Sequence, residues 1–191
     1  MRRSSGWTLL TALAVLALTS GPARAGFKYL GNASCEKCHK EIYYSWKKSV
    51  HAKTFDLLPA NVRADKKKEA GLKPGEDYRK DKSCMKCHVM GWGEGGYSFE
   101  NPSDAWKGVG CEDCHGPAES YMSIHDKKDI ERRERKLKQA GLFKPLDKSG
   151  PGTCAGCHYN IDSPFKNRDP NRERNWADPK LRETYHIAPK K

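Results

Sequence analysis

Eight cysteines are the residues of this chain that most directly indicate chemistry, because they form four pairs of identical spacing. In each pair two residues separate the cysteines, and a histidine directly follows the second cysteine. The four groups are Cys35, Cys38 and His39; Cys84, Cys87 and His88; Cys111, Cys114 and His115; and Cys154, Cys157 and His158. A C-x-x-C-H motif is the attachment signal for c-type haem. The sequence therefore predicts four covalent haem c groups with iron as their metal.

The spacing suits haem attachment for a geometric reason. Two cysteines three residues apart on one helical turn each place a sulfur at one haem vinyl group. The histidine that follows lies under the porphyrin, where its imidazole binds the iron axially. A zinc site would pair two C-x-x-C units per metal, and a disulfide framework needs no histidine after each pair. Both alternatives leave the four histidines unexplained.

Three further histidines, His51, His125 and His186, are candidates for the sixth ligand of haem iron. Three of the four irons then have two histidine ligands each, and one iron lacks a distal histidine. If a helix runs from His39 to His51, the twelve residues give a rise of about 18 Å and an offset of about 120°. We therefore expect His51 to serve a haem other than the first.

The rest of the chain is too polar to supply an ordinary core. Its mean hydropathy is −0.90 and only 36% of its 191 residues are hydrophobic. Four porphyrins would provide the missing apolar surface. The gaps between motifs are unequal, which excludes a repeat of fixed period. We expect residues 26–191 to form a single tetrahaem cytochrome c domain.

The elements that must position the motifs are predicted to be helices and long ordered loops. Apolar side chains in residues 41–50 recur near helical spacing, which predicts a helix after the first motif. Residues 91–102 are rich in glycine, and residues 162–178 are polar and interrupted by proline, so both segments are predicted to be irregular. The expected fold is mainly α, packed around haem, with little or no sheet.

The N-terminus has the features of a secretory signal. Arg2 and Arg3 precede an apolar run at 9–18, and Ala23-Arg24-Ala25 provides a small-x-small cleavage site. These features predict a cleaved signal peptide at 1–25 and a periplasmic mature protein. An uncleaved membrane anchor is the alternative, but the run is about half of the roughly 20 residues needed to cross a bilayer. We expect no stable membrane span.

The formal net charge of +12 overstates the charge of the mature protein. Three arginines are removed with the signal, and the propionates of four haems offset most of the remainder. Basicity alone then gives no reason to expect nucleic-acid binding. Residues 127–138 form a positively weighted segment with Glu/Arg and Glu/Lys pairs at helical spacing. A solvated helix face is the simpler interpretation, and a docking face for an acidic redox partner is the alternative.

A specific resemblance rests on five stretches of the chain. They are His51-Ala52-Lys53, Asp77-Tyr78, DKSCMKCHV at 81–89, Gly95-Gly96-Tyr97 and GVGCEDCHGP at 108–117. Together with the order and spacing of the motifs, these stretches closely resemble the tetrahaem cytochrome c-554 family. The likeness covers about residues 34–165, and the GVGC stretch with its CHGP ending is its most specific part.

The resemblance implies a periplasmic electron carrier whose haems sit in stacked and roughly perpendicular pairs. It assigns His51 to the fourth haem, His125 to the first and His186 to the third, and it leaves the haem of His88 without a histidine sixth ligand. It also places Trp176 near the uncovered face of that haem. In nitrifying bacteria the family takes electrons from hydroxylamine oxidoreductase, so a similar multihaem enzyme is one candidate donor, and the acceptor is open.

A methionine is the other residue type that fills a sixth position in cytochromes. Met90 lies two residues beyond His88, too near to reach the opposite face of the same haem. Met122 is the remaining candidate, with core packing as its alternative role. We expect an open or water-bound iron at the second haem instead.

Two classes of function are consistent with this ligand count. Saturated irons bind no substrate, and a chain of close porphyrins suits the movement of single electrons, which indicates an electron-transfer protein. The alternative is an enzyme that reduces nitric oxide or a related small nitrogen oxide at the open haem. A haem filament is a third possibility, but saturation of every iron needs eight histidines and the chain has 7. We expect electron transport between redox partner proteins by a monomer or weak dimer.

Overall fold

The computed structural model describes residues 27–125, 130–143 and 152–158. Within those ranges the chain folds into short α-helices joined by turns, loops and three 3-10 helices. The α-helices are α1 (Asn32–Glu36), α2 (Lys40–Lys48), α3 (Ala64–Glu69), α4 (Lys82–His88), α5 (Cys111–His115), α6 (Glu119–Met122), α7 (Ile130–Gln139) and α8 (Gly152–His158). The 3-10 helices span His51–Leu57, Tyr78–Lys80 and Asp104–Trp106.

Strand structure in the described ranges is limited to one isolated antiparallel bridge between Val89 and Lys107. The glycine-rich segment 91–102 consists of turns and bends, as its composition predicts. Backbone hydrogen bonds from Tyr97 to the Met90 carbonyl (2.9 Å) and from Gly96 to the Gly91 carbonyl (3.0 Å) hold this loop in place. The prediction of a mainly α fold with long ordered loops and almost no sheet is confirmed.

The helix after the first motif is shorter than the sequence predicts. α2 ends at Lys48, and Ser49 takes an extended conformation with ψ 164°. His51 then begins a separate 3-10 helix. The supposition of one helix from His39 to His51 is therefore wrong, because the turn at Ser49 redirects the chain between the two histidines.

The basic segment near residue 130 is helical as its charge spacing predicts. α7 ends at Gln139, and Gly141 follows with a φ of +94°. The Gly141 and Leu142 amides donate to the carbonyls of Lys138 and Leu137, which satisfies the end of the helix. Residues 126–129, in the first part of the predicted segment, lie outside the described residues.

The apolar core of the described residues is small and consists of two clusters. The larger one contains Phe55, Leu58, Tyr78, Met85, Val89 and Tyr97. The smaller one contains Ala118, Tyr121 and Leu137. Such limited burial agrees with the polar composition, since a chain of this size with an ordinary core would bury far more aliphatic surface.

No helix among the described residues is long and apolar enough to cross a membrane. The predicted signal peptide at 1–25 lies outside the described residues, as do residues 162–178.

Candidate haem centres

The described helices place the four C-x-x-C-H motifs in two different ways. The second, third and fourth motifs lie within α4, α5 and α8, so each histidine ends the helix that carries its cysteines. The first motif is divided: Cys35 lies on α1, Cys38 follows in a turn, and His39 precedes α2. None of the eight cysteines, all of which are described, forms a disulfide.

Local hydrogen bonds fix the starts of α4 and α5. Asp81 caps α4, since its carboxylate accepts from the Ser83 backbone amide at 2.9 Å. In α5 the Asp113 carboxylate accepts from the Gly110 amide at 2.7 Å. Both acidic side chains also complement the positive end of the helix dipole. Each cap lies within one turn of a haem-motif cysteine, so it sets the direction of that cysteine.

Two pairs of histidine rings approach each other across the fold. The ring centroids of His39 and His125 are 5.7 Å apart with an interplanar angle of 70°. Those of His51 and His158 are 6.2 Å apart at 81°. An iron atom bound between two imidazoles, about 2 Å from each nitrogen, separates their centroids by about 6 Å. Both pairs therefore have the spacing that an iron with two axial histidines requires.

Backbone carbonyls orient two of the motif histidines. The Nδ1 atom of His88 lies 2.6 Å from the Thr54 carbonyl oxygen, and the Nδ1 atom of His115 lies 3.1 Å from that of Phe143. In the tautomer that these contacts select, Nδ1–H donates to the carbonyl and Nε2 carries the lone pair that a metal binds. Such a second hydrogen bond also raises the basicity of a ligating imidazole.

Burial favours the neutral form of the His51 and His88 imidazoles. Desolvation, with a smaller effect from the nearby His158, lowers the pKa of His51 to about 4. Desolvation also lowers the pKa of His88, although its hydrogen bond to the Thr54 carbonyl opposes the shift. A metal binds only the neutral form of imidazole, so low pKa values favour ligation near neutral pH.

The third motif segment connects the other parts of the site. The Gly108 amide donates to the His88 carbonyl at 3.0 Å, and the Val109 amide donates to the His51 carbonyl at 2.9 Å. The Val109 carbonyl accepts from the Trp46 indole at 2.9 Å. This segment therefore sets the position of a candidate distal histidine relative to the second motif.

The cysteine thiols indicate which motifs are neighbours. Cys35 and Cys111 share a hydrogen bond, which lowers the pKa of Cys35 and raises that of Cys111. Cys87 and Cys157 share another, with the pKa of Cys87 lowered and that of Cys157 raised. α5 also contacts α8. The first motif thus adjoins the third, the third adjoins the fourth, and the fourth adjoins the second.

The third motif carries a buried glutamate and a half-buried aspartate whose roles its sequence does not predict. Glu112 is 1% exposed, and its carboxylate accepts from the amides of Leu30 (2.8 Å), Gly31 (2.7 Å) and Ala118 (2.7 Å). Burial raises the pKa of Asp113 to about 7, although hydrogen bonds from Gly110 and Gly91 partly oppose the rise. The only signal in the sequence was the pair of acids inside the motif, since their partners are backbone groups.

The methionines differ in environment. Met90 is fully buried and packs against Gly110, where no larger residue would fit. Met85, inside the second motif, is also fully buried in the larger apolar cluster. Met122 ends α6 and is 36% exposed. Its candidacy as an iron ligand stays a prediction.

Two sequence predictions concern residues outside the described ranges. His186, the candidate distal ligand of the third haem, and Trp176, the candidate cover of the second, both lie beyond residue 158. In the described part of the chain no three or more His, Cys, Asp or Glu side chains gather as ligands for a bare metal ion. The four sulfurs that the zinc alternative requires are therefore not brought together there.

Comparisons with known proteins point to one family of cytochromes. The family described as cytochrome c554 and c-prime matches residues 34–116. The chain is 39% identical over 163 residues to cytochrome c-554 of Nitrosomonas europaea, covering 82% of this chain and 69% of that protein. It is also similar to the solved structure of reduced cytochrome c554 from Nitrosomonas europaea, with a TM-score of 0.63 and 32% identity. That match covers 85% of this chain and 80% of the other.

Proposed function

Because this chain belongs to the cytochrome c-554 family, and so carries covalently bound c-type haems in an electron-transfer role, we propose that it is a periplasmic carrier with four haems. The observation that carries the proposal is the adjacency of the four motif segments in the fold. Close neighbours permit electrons to move through the chain without any substrate site. The signal at 1–25 supports export, and residues 26–191 then form one tetrahaem domain.

Each haem is assigned to one motif. The thioethers come from the eight cysteines, and the proximal iron ligands are the histidines that follow them: His39, His88, His115 and His158. The hydrogen bonds from Nδ1 of His88 and His115 to backbone carbonyls support this role, because they leave Nε2 of each ring for the iron. Haem supplies a one-electron couple at each position.

The distal ligands follow the histidine pairs. His125 serves the first haem and His51 the fourth, which the ring separations of 5.7 Å and 6.2 Å support. His186 is assigned to the third haem by the family resemblance. The second haem then has no histidine at its sixth position, so three haems are bis-histidine and one is open.

The contacts between motifs suggest an order for electron movement. The first haem adjoins the third, the third adjoins the fourth and the fourth adjoins the second, from the cysteine pairs and the contact of α5 with α8. The first haem is then one end of the path. Cys38, at the first end, is exposed, whereas the other seven cysteines are partly covered. This end is suited to contact with a redox partner protein, of which a hydroxylamine oxidoreductase-like donor is one candidate.

The alternative function is reduction of nitric oxide or a related small nitrogen oxide at the open second haem. The absence of a histidine for that iron favours it, since an enzyme needs a position at which substrate binds. Binding alone does not distinguish the two functions, because a carrier with an open iron also binds diatomic ligands. Turnover does distinguish them.

Anaerobic rapid mixing tests the proposal. The fully reduced protein is mixed either with an excess of an oxidised soluble monohaem cytochrome c or with nitric oxide and a continuous reductant. For a carrier, four electrons pass to the cytochrome, and nitric oxide binds at one haem without sustained consumption. Catalytic consumption of nitric oxide over many turnovers, with slow delivery to the cytochrome, would instead establish the enzyme.

A further inference from the structure

A buried lysine lies beside the second haem motif and plays no part in the ligation described above. Lys67, on α3, is 5% exposed, and its ammonium donates to the backbone carbonyls of Leu58 (3.1 Å) and Pro59 (2.5 Å). It also stands 5.3 Å from the centroid of the Tyr78 ring, a cation–π arrangement. These partners hold the ammonium in one place without cancelling its charge.

The surroundings of Lys67 connect it to the second haem. Leu58 and Tyr78 belong to the larger apolar cluster, and Cys84 packs against the same cluster. The ammonium favours the ionised form of the Cys84 thiol and so lowers its pKa, although burial and the charge of Asp81 raise it more. Met85, inside the second motif, belongs to the same buried cluster, so the groups that hold the Lys67 ammonium pack directly with the residues that attach the second haem.

Asp81 carries the opposite charge at the start of the helix that holds Cys84. Its carboxylate caps α4 and accepts from the Ser83 amide (2.9 Å) and hydroxyl (2.6 Å), while its carbonyl accepts from the Cys84 amide at 3.1 Å. The cap fixes the carboxylate within one turn of the cysteine. Lys67 and Asp81 are thus two fixed charges of opposite sign near Cys84, a predicted attachment point of the second haem.

We propose that Lys67 and Asp81 set the reduction potential of the second haem by opposing electrostatic effects. The inference rests on the proposed attachment of a haem at Cys84 and Cys87. Reduction adds one electron to the iron, so a fixed positive charge favours the reduced state and a fixed negative charge favours the oxidised state. Lys67 raises the potential and Asp81 lowers it. The buried charge acts in a medium of low dielectric constant, where screening by salt is weak.

Spectroscopic redox titration of the holoprotein tests this proposal. Lys67→Met should lower the potential of one haem and Asp81→Asn should raise the potential of the same haem, each by several-fold to about tenfold in the reduction equilibrium constant. A tenfold change corresponds to about 59 mV for a one-electron couple. Asparagine keeps the cap of α4, so Asp81→Asn tests the charge without loss of the helix.

Two controls separate charge from packing. Lys68→Met removes the same charge from an exposed position of the same helix and should leave all potentials unchanged. Lys67→Arg keeps the charge while it alters the packing, so its potential should stay near that of the natural protein. If Lys67→Met unfolds the protein, Asp81→Asn still tests the proposal, because it should raise the potential of one haem.

The outcomes also separate this inference from the proposed ligation. If the two variants shift the reduction potential of a high-spin haem in opposite directions, both the charge effect and the open second haem are supported. If the two variants shift the potential of one titration step in opposite directions but no haem is high-spin, the charge effect is supported. The proposal that the second haem lacks a sixth ligand is then contradicted. Unchanged potentials in both variants, shifts of the same sign, or equal shifts of all four haems would overturn the inference.

Discussion

In the proposed ligation, single imidazoles set the properties of single irons, because each of the seven histidines is assigned to one haem. His39 and His125 come together although they are 86 positions apart in the chain, and their rings stand nearly perpendicular. An iron held between these two rings would tie haem binding to the fold, because the fold alone brings the rings together. The effect of one histidine should therefore be visible at one haem.

Replacement of His125 by alanine should convert one low-spin haem to high spin while all haems remain attached. The reason is that the proximal ligand and both thioethers are left in place. Electron paramagnetic resonance and absorption spectra of the oxidised protein measure the change. Tyr121→Phe is the matched control, because its ring lies 6.4 Å from that of His125 but it is no ligand. An unaltered spectrum of the His125→Ala protein would refute the assignment.

The buried carboxylate of Glu112 should matter for stability rather than for redox chemistry. Glu112→Gln replaces an acceptor oxygen by an amide group that faces backbone N–H donors, which should cost about 2–4 kcal/mol of unfolding free energy. Thermal unfolding of the holoprotein measures the loss. Glu119→Gln, at an exposed partner of Lys28, should change stability by less than about 0.5 kcal/mol. Equal stability of the two variants would contradict the role of Glu112.

The sequence predicts which cysteines and histidines attach haem, but it does not predict which backbone groups orient the histidines. The motif cysteines and histidines follow from spacing alone, because the chemistry of attachment is local. The partners of His88 and His115 are the carbonyls of Thr54 and Phe143, and every residue has a carbonyl. Only the fold decides which carbonyl meets which ring.

The helices that carry the motifs are too short to be stable alone. α4 and α8 have 7 residues each and α5 has 5, whereas isolated helices in water need about 12–15. Caps, tertiary hydrogen bonds and haem attachment must therefore stabilise them. Glycines let the chain pass closely between these elements, most clearly in the GVGC stretch.

Gly110→Ala should destabilise the protein, because the added methyl group would collide with the Met90 sulfur and the buried Asn32 amide. Relief requires movement of two packed side chains, which should cost about 1–3 kcal/mol. Chemical denaturation of the holoprotein measures the effect. Gly156→Ala is the matched control within another haem motif, since its new methyl group meets nothing within 4 Å. A Gly110→Ala protein as stable as the control would contradict the packing.

Element boundaries were predictable only where a local signal marks them. Gly141 ends α7 with a positive φ, and glycine is the usual residue for that conformation. The turn at Ser49 has no such signal, and apolar residues continue at helical spacing through it. The position of His51 beside the fourth motif agrees with the family resemblance, but no local pattern in the sequence indicates it.

On the scale of the whole molecule, haem replaces the missing core. Six residues form the larger apolar cluster and three the smaller one in the described ranges. Clusters of this size offset little of the conformational entropy that the described residues themselves lose on folding. We therefore expect the fold to depend on the haems that the family carries. The low apolar content predicts this dependence, whereas the adjacency of the first and third motifs was not predictable from their separation in sequence.

The chain without haem should not fold cooperatively. Produced in a cytoplasm without haem attachment, it should show no cooperative thermal transition by circular dichroism, because the short motif helices lose their packing surface. The holoprotein under the same conditions should unfold in one or more sharp transitions. A cooperative transition of the haem-free chain would show that the protein has a sufficient core of its own.

The intact mass of the mature protein shows whether this chain binds four haems through eight thioethers. We expect the mass of residues 26–191 plus four covalent haems, with no thiol that reacts with an alkylating agent. A mass with three or fewer haems, a free thiol or a disulfide would contradict it.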